Sequence, residues 1–111
     1  MTIYIPVKPI SVNVCWQGRR FATSEYKNWR ESMLLQMPRK EEVKGNVELR
    51  IFLHLKSLIR GDIDNYCKPI IDCLVKKKYI TDDRYIQRLV VEKVKGNKEG
   101  VEIEIIIIKN K

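Results

Sequence analysis

The sequence predicts an α+β fold: a single mixed β-sheet with two helices packed on one face, in the order β-α-β-α-β-β. Three observations carry that reading. Residues 47–56 alternate without a break, Val47, Leu49, Ile51, Leu53 and Leu55 facing one way and Glu48, Arg50, Phe52, His54 and Lys56 the other. On each side of this strand lies a segment whose apolar residues recur every three or four positions, the period of a helix with one buried stripe. Two more apolar runs, Ile86–Val94 and Val101–Ile108, are joined by the turn-like Lys95-Gly96-Asn97-Lys98-Glu99-Gly100.

In chain order, Ile3, Ile5 and Val7 alternate, and Val12, Val14 and Trp16 continue that period, which predicts an early strand or strand pair. Gly18 offers a turn between Trp16 and Phe21. From Ser24, a suitable N-cap, the residues Tyr26, Trp29, Met33, Leu34 and Met37 share a helical face until Pro38 ends the segment. A second helix is expected from about Asn65 to Lys77, with Ile63, Cys67, Ile70, Ile71 and Leu74 as its stripe. The apolar content of Val101–Ile108 exceeds what one sheet face needs. It fits either a strand buried on both faces, the favoured reading, or a subunit interface.

Length and composition bound the function. A chain of 111 residues makes one domain, residues 1–111, with a modest core, and 44% hydrophobic with 32% charged residues excludes a disordered chain. No apolar run approaches the ~20 residues that span a bilayer, and the first residues show no secretory signal. Cys15, Cys67 and Cys73 form no CxxC pair, and their odd number suits a reducing cytoplasm. Lys and Arg number 22 against 14 Asp and Glu, a formal charge of +8, and pairs or runs stand at Arg19-Arg20, Arg39-Lys40 and Lys76-Lys77-Lys78. Such a surface suits a phosphate backbone, which makes Arg19, Arg20, Lys76, Lys77 and Lys78 candidate DNA contacts; a merely solvated lysine-rich surface is the plain alternative.

Against that charge, the carboxylates in Asp62-Ile63-Asp64 and Asp82-Asp83 stand out. Pro69 is tolerated only in the opening turn of a helix, so Asp62 and Asp64 fall in the loop ahead of it. Two positions apart, they can flank a cation, or Asp64 can cap the helix. Lys68 is placed to touch a phosphate, or to pair with Asp64 or Asp72 on the helix surface. Asp82-Asp83 either returns a carboxylate to the first loop or forms a polar turn opening a strand. Oxygen donors of this kind suit Mg²⁺, a hard cation that keeps several waters. They suit zinc poorly, since His54 is the only histidine and sits mid-strand. A non-catalytic DNA-binding module would share the basic surface and could use Trp16 or Trp29 for stacking, although both read better as packing residues and the acids would only weaken binding.

The run Asp62-Ile63-Asp64-Asn65-Tyr66-Cys67-Lys68-Pro69-Ile70-Ile71-Asp72-Cys73-Leu74, followed by Tyr79 and Asp82-Asp83, resembles the RusA family of Holliday junction resolvases. That family's pattern is D-x-D-N-x-x-K-P-x-x-D-x-L with a D-D pair about ten residues on. Pro6, Pro9 and Asn13 before Trp16, then Gly18-Arg19-Arg20, Ser24 and Tyr26 through Trp29-Arg30, agree more loosely, so the resemblance covers nearly the whole chain. Tyr66-Cys67 stand where aliphatic or polar residues are frequent, a mild departure. The resemblance implies a cytoplasmic homodimer, of bacterial or phage origin, that uses Mg²⁺ (or Mn²⁺) to cut four-way DNA junctions by paired symmetric nicks in recombination and repair. It implies that Asp62, Asp64 and Asp83 hold metal, that Lys68 is functional, that Asp82 is a less certain addition, and that Asp72 is a structural helix residue. Flaps, forks or RNA as targets stay open at this stage.

Overall fold

Alternation along the chain becomes a four-stranded sheet. A computed structural model describes residues 1–17, 21–59 and 61–109 of the chain. Its strands are β1 (Thr2–Ile5), β2 (Trp16–Gln17), β3 (Phe21–Ala22), β4 (Val47–Leu55), β5 (Ile86–Lys95) and β6 (Gly100–Ile107), with helices α1 (Ser24–Gln36) and α2 (Cys67–Lys76). The main sheet runs β1-β6-β4-β5, and β2 and β3 form a separate two-stranded ribbon. β6 pairs antiparallel with β1 and with β4, whereas β4 and β5 are parallel, from Val47 opposite Ile86 to Leu55 opposite Lys95. The sheet is therefore mixed.

The inward face of β4 is as the alternation requires: Val47, Leu49, Ile51, Leu53 and Leu55 are buried. They join Ile3 and Ile5 of β1, Val101, Ile103 and Ile105 of β6, Tyr26, Trp29 and Met33 of α1, and Ile70 and Leu74 of α2 in one core. Both helices thus cover the same face. The other face is polar and ion-paired: Arg50 meets Glu48 at 2.6 Å and Glu104 at 3.3 Å, while His54 Nε2 lies 3.0 Å from Glu102. His54 is committed to the sheet's outer face, edge-on to Tyr4.

Four expectations change. Val12–Val14 is a turn of 3₁₀ helix and not a strand, because the Ser11 side chain accepts from the Asn13 N–H and closes a local turn. The cap of α1 is Thr23, whose hydroxyl accepts from the Tyr26 N–H; Ser24 is already helical. β6 is buried on one face only: Glu102 and Glu104 are half-exposed, and Ile107 projects beyond the core. Ile63 falls off the stripe of the second helix at 39% exposure, since a 3₁₀ turn rotates it outward. The proposed turn at Gly18, with Arg19 and Arg20, lies outside the described residues. No described helix is long and apolar enough to cross a membrane.

Candidate active site

Residues 56–85 leave the end of β4, cross the sheet face and return to start β5, and every candidate acid lies in this crossover. Gly61 opens the acidic stretch. Its φ of +72° is left-handed, and a Cβ there would come 2.5 Å from the Tyr66 hydroxyl, so glycine is required. Lys93 of β5 holds the same segment from below, its Nζ donating to the carbonyls of Leu58 at 2.9 Å and Gly61 at 2.6 Å. Lys93 was not anticipated from sequence. The available signal was a cation at a position that shares its sheet face with Leu89 and Val91.

Asp62 is extended and precedes a 3₁₀ turn, Ile63–Tyr66, which runs directly into α2. Pro69 is the third residue of α2, within the opening turn where its missing N–H costs nothing. Asp64 therefore sits in the 3₁₀ turn and not in an irregular loop. Neither carboxylate is used as a cap: Asp62 makes no side-chain cap hydrogen bond, and the N-cap of α2 is Tyr66, also without one. Among the described residues, Asp62 and Asp64 have no side-chain hydrogen bond or ion pair, and both are exposed.

Lys68 is the hub. Its Nζ lies 2.8 Å from Asp72 Oδ1, one helical turn on, and 3.3 Å from Asp83 Oδ2, which comes from the far end of the crossover. Its helix-surface partner is thus Asp72 and not Asp64. Asp83 starts a 3₁₀ turn, Asp83–Tyr85, that Asp82 caps by accepting from the Asp83 N–H at 2.8 Å. Asp82 also approaches Arg84 at 3.5 Å, so its carboxylate serves the turn while that of Asp83 faces the lysine. The hydrogen bond from Lys68 lowers the Asp83 pKa, helped by Asp82; the hydrogen bond to Asp72 raises that of Lys68.

The fit to a divalent cation is one of donor chemistry. The donors are exposed carboxylate oxygens, and Mg²⁺ accepts one or two carboxylates when waters and substrate phosphate complete its shell. Among the described residues no three acidic, histidine or cysteine side chains converge on a single ion position. The structure unites Lys68, Asp72 and Asp83, and places Asp64 one turn of chain before Lys68. It does not gather Asp62, Asp64 and Asp83 around one point. Of the basic candidates, Lys77 donates to Leu34 O at 2.7 Å, Lys78 follows the C-cap of α2 with a left-handed φ of 65°, and Lys76 is exposed. Trp29 is core, its Nε1 donating to Lys8 O at 2.6 Å, whereas Trp16 is 45% exposed beside Tyr26 and is not the packing residue expected.

A basic α+β fold whose crossover carries exposed carboxylates and a lysine paired with two more has the makings of a protein that works on phosphodiesters. The sequence matches the family model described as Endodeoxyribonuclease RusA over residues 8–106. The chain belongs to the RusA family of Holliday junction resolvases and is an endodeoxyribonuclease by that membership. No curated protein matches the sequence.

Proposed function

We propose that the protein is a Mg²⁺-dependent endonuclease that resolves four-way DNA junctions as a homodimer, by paired symmetric nicks, in recombination and repair in the cytoplasm of a bacterial or phage-infected cell. The observation that carries this reading is the hub at Lys68, an ammonium held by Asp72 and Asp83, in a crossover that also carries two exposed carboxylates, Asp62 and Asp64, with no hydrogen-bond or ion-pair partner among the described residues.

Asp62, Asp64 and Asp83 are the residues that would hold Mg²⁺, with Mn²⁺ as a substitute. When bound, such a cation supplies activation of water and neutralisation of the leaving oxygen. The chain's own residues do the rest. Asp72 keeps the Lys68 ammonium at the site whether or not Asp83 remains its partner. An ammonium so placed offsets charge on a scissile phosphate, and its ion pairs raise its pKa further above the neutral range. Without a cation the exposed carboxylates repel DNA, so converting them to amides favours metal-free binding.

A four-way junction has approximate two-fold symmetry, and two sites related by a two-fold axis match it. The test is cleavage of four-way, flap, fork and linear duplex DNA, and of RNA, with Mg²⁺, beside Asp64→Asn. The expected result is cleavage of the junction by the parent and a loss of roughly 10²–10³-fold or more in the variant, with junction binding kept. Equal cutting by Asp64→Asn would sink the site; preference for flaps, forks or RNA would reassign the target. Sedimentation showing a monomer at micromolar concentration would remove the paired nick.

A further inference from the structure

A concave surface lies between α1 and α2, toward the C-terminal end of α2, with a volume of about 550 Å³. Its described lining carries four cationic side chains, Lys27, Arg30, Lys76 and Lys77, against one carboxylate, Glu31. Leu34 and Leu35 complete it, and Leu35, in the last turn of α1, is 78% exposed.

We infer that this groove is a track for the sugar–phosphate backbone of a DNA arm leaving the active site, with Lys27, Arg30 and Lys76 as its phosphate contacts. The inference rests on the nuclease reading and adds a path for the substrate to it. The groove shares a helix with the site. Lys68, Asp72 and Lys76 follow one another at intervals of four along α2 and so share a face. From Lys68 to Lys76 the rise is about 12 Å, a length over which one strand of duplex carries about three or four phosphates.

The cations differ in what they are free to do. Lys77 is engaged with the Leu34 carbonyl at 2.7 Å and braces the two helices. Arg30 stacks 5.3 Å from the Tyr26 ring centre, which fixes its stem and leaves the guanidinium edge for hydrogen bonds. Lys27 and Lys76 are exposed and have no ion-pair partner among the described residues. Unpaired cations on both walls of one groove match a polyanion in strand form better than an acidic peptide, whose charges are not evenly spaced.

The experiment measures junction binding across a salt series, with Asp64→Asn as the uncut parent. Lys27→Gln/Lys76→Gln is compared with Lys44→Gln/Lys98→Gln, which removes the same charge from exposed sites away from the groove. The groove pair should lower the slope of log affinity against log salt by about 2 and weaken binding roughly tenfold, alike for all junction sequences. The control pair should change the slope by less than half as much. A groove pair that matches its parent, or a control pair that matches the groove pair, overturns the track. A parent that binds no branched DNA sinks the nuclease reading and the track with it, whereas binding by the parent with an unchanged slope in the groove pair sinks the track alone.

Discussion

Lys68 and Asp83 are fifteen positions apart, and their contact at 3.3 Å is the part of the site that motif spacing does not reveal. The motif named both residues; only folding of the crossover shows that they meet, with Asp72 completing the pair. Their pH behaviour follows. Asp83 has a lowered pKa, so its contribution is full above the ordinary carboxylate value and is lost as pH falls through the depressed one. Lys68 has a raised pKa, so its contribution is full below the ordinary lysine value and is lost as pH rises through the raised one. The pair therefore persists across neutrality. Carboxyl-carbon NMR should show Asp83 ionising below the usual range, and Lys68→Met should return it toward the ordinary carboxylate value. Burial pushes the thiols of Cys15 and Cys73 up to about 11 and about 12, so neither is a nucleophile at neutral pH. Both should resist thiol reagents at pH 8 until the protein unfolds; labelling of either in the native state would contradict the burial described.

At the scale of elements, the strict alternation of β4 and the stripe of α2 were legible because burial on one face leaves a periodic trace. The ends were less so, since caps are set by which side chain reaches a free N–H and not by period. Ser24 was the cap expected from sequence, yet Thr23 is the one that caps, and it also donates to the Val14 carbonyl at 2.6 Å and thereby ties α1 to the preceding turn. Thr23→Ala should cost about 1–2 kcal/mol in denaturant unfolding, and Ser24→Ala close to nothing. Lys93 is the other illegible piece, because a cation on β5 reads as edge-strand protection until its carbonyl partners are seen. Lys93→Met should lower junction cleavage about tenfold or more by freeing the acidic segment, while thermal unfolding of the sheet changes little.

At the scale of the whole molecule, composition told of a basic chain able to bury a core, and Leu74 of α2 lies fully buried in the core that forms. Leu74→Ala should destabilise by roughly 2–5 kcal/mol, measurable as a shifted denaturation midpoint with an unchanged slope. The parallel pairing of β4 with β5 has a consequence in time. Lys68 and Asp83 are separate stretches of string until β5 docks beside β4, and long-range pairing of that kind is slow to form. A chain still emerging from the ribosome, or one partly unfolded, thus carries the motif but not the hub. A copy without the hub is expected not to cut DNA, and after dilution from denaturant cleavage should return no sooner than amide protection along β4.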